Sequence, residues 1–308
     1  MRPRQLATYV AYRYLGEAMA RVPEPVAWAA AQVVGAVLAR RDALPRQMAE
    51  RHIRHVLAWD SPAVEPDDEL VARWARRCFA EYARYWMEGA RLPGVPTADV
   101  LARMLIVEGY EHLRDAMAAG RGVVMALPHV GSWEWGGAYL AADGYPMLSV
   151  AELIDPPQLF SYFIEQRRAI GLDIVPLDGD SGGAVLNALR AGRLVGLLCD
   201  RDIMGTGVAV TFFGETTTFA AGPATVALRT GATLVAATVY SGPGPFHLGV
   251  ISPPLDTSRT GRMRVDVARV TQDLAATFEG FIARNPEQWH VFQPEWPSDL
   301  DGGAGPAG

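Results

Sequence analysis

The chain of 308 residues contains no lysine: every one of its 28 Lys-plus-Arg positions is arginine. That absence excludes a Schiff-base lysine and the lysine of a phosphate-binding P-loop. Cysteine is scarce as well. Cys78 and Cys199 stand alone, without the paired spacing of a zinc site or a disulfide framework. Both read as buried thiols of a reducing compartment, with a nucleophilic Cys199 beside Asp200 as the weaker alternative. A basic excess is missing too. The net charge of -6 and pI near 5.6 argue against a nucleic-acid partner. No apolar run reaches the roughly 20 residues that span a bilayer. The longest, Val26 to Ala39, includes Gln32 and either lies on a membrane or packs in the core. The opening Met1-Arg-Pro-Arg-Gln-Leu, interrupted further on by Glu17 and Arg21, lacks the apolar core of a secretory leader.

Half of the residues are hydrophobic, enough for a substantial core. The charge is unevenly placed. Through Arg91 there are 14 arginines against 11 carboxylates, so that segment is +3 and the remainder -9. An N-terminal face meeting an anionic surface and a solvated arginine-rich helix face both fit. From Leu6 to about Leu92 the pattern is helical, broken at Pro23 and Pro25, near Pro45, and over Asp60 to Asp68. His52 and His55 sit on one of these helices. A metal pair there lacks a third ligand, and a solvated face is the simpler reading.

From Ile106 onward strand-like runs alternate with helix-like ones. Strands are expected at Val123 to Leu127, Met147 to Ala151, Ile174 to Leu177, Leu194 to Cys199, Leu234 to Tyr240 and His247 to Ile251. Helices are expected at Trp133 to Ala142, Pro157 to Ile170, Gly182 to Ala191, Pro223 to Thr230 and Val265 to Ala283. The expected architecture is α/β, a mostly parallel central sheet flanked by helices with an N-terminal helical segment. Residues 1–92 form a helical membrane-docking segment in this reading, 93–300 the α/β core, and 301–308 a disordered tail.

Parallel strands share one C-terminal edge, where ligands bind in open sheets. His129 follows the first of these strands, Glu152 the second, and Asp200-Arg201-Asp202 the fourth. Taken singly, each acid is a helix cap or turn residue; together with a histidine and an arginine on one rim they indicate a site. An imidazole with a carboxylate partner can take a proton from a hydroxyl. No serine elbow accompanies His129: Ser132 sits in Gly-Ser-Trp and reads as a helix N-cap. The attacking hydroxyl then belongs to the substrate.

His129-Val-Gly-Ser-Trp-Glu134 resembles the His-x4-Asp/Glu motif of the lipid acyltransferases, in the branch that includes the lipid A lauroyl and myristoyl transferases. The resemblance covers nearly the whole chain. Ser149-Val-Ala-Glu152, Arg167-Arg-Ala-Ile-Gly171, Asp200-Arg-Asp202, Phe212-Phe-Gly-Glu215, Ala221-Gly-Pro223 and Pro286-Glu-Gln-Trp-His-Val-Phe-Gln-Pro-Glu-Trp296 are similar in order and spacing. Within the branch it resembles the members that acylate phosphatidylinositol mannosides. The resemblance implies a peripheral enzyme on the cytoplasmic face of the plasma membrane, with acyl-CoA as cosubstrate, a mannosylated phosphoinositide as acceptor, and no metal or resident cofactor. His129 would be the general base, with the oxyanion held by backbone N–H groups just after it at a helix N-terminus. An acyltransferase for another glycolipid or lysophospholipid, a thioesterase, and a non-enzymatic lipid-binding protein are the alternatives.

Two acids compete for the His129 ring. If the helix includes His129, Glu134 is rotated away by roughly 140°; if it starts at Ser132, Glu134 can reach back. Asp200 is the rival from an adjacent strand end. Arg167, Arg168 and Arg201 are candidates for phosphate contacts, and Glu152 and Asp202 for sugar hydroxyls. His290 and Gln293 are candidates for the site wall. Trp133, Trp135, Tyr139, Leu140, Met125 and Phe163 are candidates for an acyl tunnel.

Overall fold

The computed structural model describes residues 3–41, 44–62 and 65–301. Residues 302–308 of the glycine-rich tail lie outside it. Four helices come first: α1 (Pro3–Arg21), α2 (Glu24–Ala39), α3 (Leu44–Asp60) and α4 (Asp68–Arg91). Two of their starts have a local cause. Pro25 sits in the first turn of α2, where its missing N–H costs nothing, and the Asp67 carboxylate caps α4 by accepting the Leu70 N–H at 3.0 Å. Ala27, Ala31, Gly35 and Ala39 form the buried face of α2, which lies on α4. A Cβ at Gly35 would stand 2.7 Å from Ala80 Cα, so only glycine permits this approach. The valines of α2 are turned outward.

A short helix α5 (Thr97–Arg103) leads into β1 (Met104–Glu108) and α6 (Tyr110–Ala118). The core continues through β2 (Val123–Leu127), α7 (Trp133–Ala142), β3 (Met147–Ala151), α8 (Pro157–Ala169), β4 (Asp173–Pro176), α9 (Ser181–Arg190) and β5 (Leu194–Leu198). It closes with β6 (Val208–Phe212), β7 (Glu215–Phe219), α10 (Gly222–Thr230), β8 (Thr233–Ser241), β9 (His247–Ile251), α11 (Met263–Arg284) and α12 (Pro297–Asp301). Seven strands make one sheet in the order β1-β9-β8-β2-β5-β3-β4, parallel except between β8 and β9. The fold is therefore α/β with a largely parallel sheet flanked by helices. Side-chain alternation splits the core. Val124, Ala126, Leu148 and Val195 face α9, α10 and α11, whereas Val123, Met125, Met147 and Ile174 face α6 and α7.

The β6–β7 hairpin was not among the expected strands. Its residues do alternate, with Val210, Phe212, Thr217 and Phe219 buried. The turn hides it: Phe213 (φ +49) and Gly214 (φ +82) occupy the two left-handed positions, and the first of these normally carries asparagine or aspartate. His52 also differs from the solvated reading. It is buried, with Nδ1 on Val291 O at 3.1 Å and Nε2 on Asp299 Oδ2 at 3.3 Å, and so ties α3 to the C-terminal segment. His55 is half-buried, bonded to Glu215 Oε2 at 3.0 Å and stacked on Trp296.

Candidate active site

Strand register places the first two site residues. Leu127 of β2 lies opposite Leu198 of β5 in a parallel pair, and each chain runs two residues further to His129 and Asp200. They emerge side by side on the same edge. After His129 the chain drops against β8 at Gly131 (φ +61), where a Cβ would lie 2.0 Å from Val239 O. Ser132 N–H donates to that oxygen at 2.8 Å, and α7 begins only at Trp133. His129 thus belongs to the loop before the helix.

Its ring nevertheless meets Asp200, not Glu134. His129 Nδ1 lies 2.5 Å from Asp200 Oδ1, and the His129 backbone N–H donates to Oδ2 at 2.8 Å. The indole N–H of Trp289 donates to the same Oδ2 at 3.0 Å. Asp200 is fully buried, whereas 27% of the His129 side chain is exposed. Burial alone would raise the Asp200 carboxyl, but the charge and hydrogen bonds of His129, with the Trp289 indole, outweigh it and hold it below the usual aspartate range. An ionised Asp200 only accepts, so His129 Nδ1 carries its proton and Nε2 presents its lone pair.

Glu134 is committed elsewhere. Its Oε1 accepts from the Tyr85 hydroxyl at 2.9 Å and from Arg167 at 3.2 Å, while Oε2 is buried without a partner. Burial, and next the Glu134 charge, keep the Tyr85 phenol well above its ordinary range, so it stays a donor. Arg167 also lies over the Trp133 ring at 5.0 Å. Of the two acids that compete for the His129 ring, Asp200 is the one bonded to it; Tyr85 and Arg167 hold Glu134 by Oε1, and no hydrogen bond joins Glu134 to His129.

His129 opens on a cavity of about 540 Å³ that wraps the C-terminal edge of β3 and β5. Phe160, Phe163 and Trp133 wall it on one face of the sheet, and Val185, Val226 and Leu197 on the other. Glu152, Arg167, Arg201, Asp202, His290 and Gln293 all line it. Arg168 does not; it is exposed on α8. Asp202 accepts the backbone N–H groups of Thr206 and Gly207, at 3.2 and 2.7 Å, closing its loop as a turn residue would. Of the tunnel candidates, Trp133 and Phe163 reach the cavity. Met125, Tyr139 and Leu140, with Trp133, border a separate interior void of about 30 Å³, and Trp135 stacks on His247.

Several contributors escaped sequence reasoning. Trp289 and Tyr85 are separated from their partners by 89 and 49 residues, and only the place of Trp289 beside His290 hinted at it. His290 is half-buried against Tyr82 and Tyr85, its buried Nδ1 unpartnered; desolvation, and next the neighbouring His129, push it down to about 3, so it is neutral. Glu295 is pushed up to about 9 by burial and then by the Asp200 charge. The backbone donors after His129 are spent. N–H groups of Val130, Gly131 and Ser132 go to Pro128, Gln288 and Val239 oxygens, at 2.8 Å each. The first turn of α7, which Ser132 does not cap with its side chain, comes next. Cys199 and Cys78 are buried free thiols, both raised first by burial and thus unreactive. Ser181, in Gly179-Asp-Ser-Gly-Gly183, spells an elbow and lines the cavity. Its hydroxyl donates to Asp178 O at 2.8 Å, and it follows β4, three strands from β2, so it is no partner for His129.

An open α/β sheet that presents a carboxylate-held imidazole at a large, mainly apolar cavity suits transfer chemistry on a lipid, and the class is an acyltransferase. Residues 2–298 match the family of bacterial lipid A biosynthesis acyltransferases, and the chain belongs to that family. It is similar to the phosphatidylinositol mannoside acyltransferase of Mycolicibacterium smegmatis, 38% identical over 269 residues that cover 86% of this chain and 84% of the relative. The protein of that name in Mycobacterium tuberculosis strain H37Rv is 38% identical over 244 residues, covering 78% and 73%.

Proposed function

We propose that this enzyme transfers a long acyl chain from acyl-CoA to a mannose hydroxyl of a phosphatidylinositol mannoside, with His129 as general base. The observation that carries the reading is the buried Asp200 fixing His129 at the mouth of the cavity, in a chain similar to enzymes of that name. His129 Nε2 takes the hydroxyl proton as the oxygen attacks the thioester carbonyl. The C–O bond forms, the C–S bond breaks, and the thiolate leaves with the proton from the imidazolium. Donors at the first turn of α7 hold the oxyanion.

The apolar walls take the acyl chain, each buried methylene contributing about 0.8 kcal/mol. Arg201, which forms no ion pair among the described residues, and Arg167 contact phosphate. Glu152, Asp202 and Gln293 meet sugar hydroxyls, and neutral His290 offers a hydrogen-bonding edge beside the base. The test is a panel of acceptors with palmitoyl-CoA, read by mass spectrometry. Acylated phosphatidylinositol mannoside is expected. Transfer only to another glycolipid or lysophospholipid removes that acceptor, and full-rate release of free acid without any acceptor makes the protein a thioesterase. Normal cellular function of His129→Ala would favour a lipid-binding role.

Residues 1–92 dock the enzyme on the cytoplasmic leaflet of the plasma membrane in this proposal. Among the described residues no helix is long and apolar enough to cross a membrane. What supports docking is α2, whose small residues face α4 while Val26, Val33, Val34 and Val37 are exposed and no charged residue falls between Pro25 and Ala39. Val33→Asp with Val37→Asp should lower sedimentation with anionic vesicles by roughly ten-fold or more. Unchanged binding would exclude this face.

A further inference from the structure

The C-terminal segment grips both members of the His129–Asp200 pair. Gly131 N–H donates to Gln288 O and His290 N–H donates to His129 O, each at 2.8 Å, and between them Trp289 sends its indole to Asp200 Oδ2. The indole is itself fixed. Trp289 is 3% exposed, its ring meets those of His52, Phe212 and Trp296 at 5.1, 5.8 and 5.9 Å, and its backbone bridges Val130.

We propose that Trp289 is a positioning residue for the reaction: its indole N–H holds the Asp200 carboxylate with Oδ1 toward the His129 ring and moderates the basicity of that ring. The inference rests on the reading of His129 as base and Asp200 as its partner. An indole N–H can only donate and never titrates near neutral pH. Its hydrogen bond to Oδ2, with that of the His129 N–H, favours the ionised carboxylate, so the proton shared through Oδ1 stays on the imidazole side. A donor bound to the carboxylate also withdraws charge from it. Without that donor Asp200 attracts an imidazolium more strongly, which moves the acid limb of the rate profile to higher pH.

The titratable and charged groups around the pair are Cys199, Arg201, Glu295 and His290, with His52 behind the indole; Tyr82, Tyr85, Glu152, Arg167 and Asp202 line the same cavity. His290 is neutral above about 3 and Glu295 is protonated up to about 9, so neither titrates between those limits. A shift of the acid limb on loss of the 289 donor therefore reports the pair, because that donor bonds Asp200.

The test measures kcat and KM with palmitoyl-CoA across pH for Trp289→Phe. A second variant carries benzothienylalanine at 289, which keeps the bicyclic shape, replaces N–H by sulfur, and reports donor loss even if the phenyl ring leaves a void that prevents folding. Both should lower kcat roughly 10- to 100-fold with KM within about two-fold, and should move the acid limb to higher pH by about half a unit or more. In an Asp200→Asn background Trp289→Phe should cost under about three-fold, because the group it acts through has changed. An unmoved acid limb, or the same loss in both backgrounds, reduces Trp289 to a packing residue and overturns the proposal. If Asp200→Asn turns over at the wild-type rate, the pair itself is misread and the proposal falls with it. An inactive Asp200→Asn beside a wild-type-like benzothienylalanine variant overturns the proposal alone.

Discussion

Two buried carboxylates flank the turn after β2, one at the end of β5 and one in the first turn of α7, and they are served differently. Asp200 takes three donors, two of them from His129, and both of its oxygens are satisfied. Glu134 takes two donors on one oxygen and leaves the other buried and bare, with no bond to the histidine. Glu134 is five residues from His129 in the chain; Asp200 is 71 away. Parallel register outweighs sequence proximity, because side chains just past a matched rung of adjacent strands come together whatever lies between them. The His-x4-Glu motif marks the family, while its glutamate clamps Tyr85 and Arg167.

The largest effect expected from this contrast is on His129 itself. His129→Ala should lower kcat by roughly 100- to 10,000-fold in a protein that still unfolds cooperatively, measured by steady-state turnover and thermal melting. Retained activity would dissolve the distinction between the two acids. Stability, by contrast, should follow the Glu134 side. Arg167→Met strips the buried carboxylate of its cation and should cost about 1–3 kcal/mol in denaturant unfolding; a neutral outcome would mean that Glu134 is not held as a charge.

Glu295 sharpens the comparison by the most pH-dependent effect. Its folded carboxyl is raised above the ordinary value, so the stability it contributes is complete below the unfolded pKa and declines as pH rises toward about 9. Glu295→Gln should therefore match the wild type near pH 4 and melt progressively higher than it up to about pH 9. A gap that stays constant with pH would show that neither burial nor the Asp200 charge raises this carboxyl in the folded protein.

Much of this arrangement was legible in the sequence. Runs such as Val123 to Leu127 and Met147 to Ala151 match their strands residue for residue, because continuous β-branched and aliphatic stretches bounded by turn residues leave little choice. The common edge followed from parallel strands, which brought His129, Glu152 and Asp200 to Asp202 onto one rim. What it lacked was register and long-range partners. The start of α7 at Trp133 leaves Glu134 free in principle to reach back, and only its bonds to Tyr85 and Arg167 direct it elsewhere. Trp289 lies 89 residues from Asp200, a separation no local pattern encodes. Arg168 shares its neighbour's charge but lies on the exposed side of α8. In α2 the sequence offered an apolar helix without saying which side was covered; Gly35 against Ala80 decides that the valines face out.

The most direct test compares turnover of Asp200→Asn and Glu134→Gln, both confirmed to fold by melting, on palmitoyl-CoA and a phosphatidylinositol mannoside acceptor. With Asp200 orienting the base, Asp200→Asn should lose roughly 100- to 10,000-fold in kcat while Glu134→Gln keeps most of its turnover. If Glu134→Gln alone abolishes transfer and Asp200→Asn remains active, the assignment of the catalytic acid to the end of β5 is wrong.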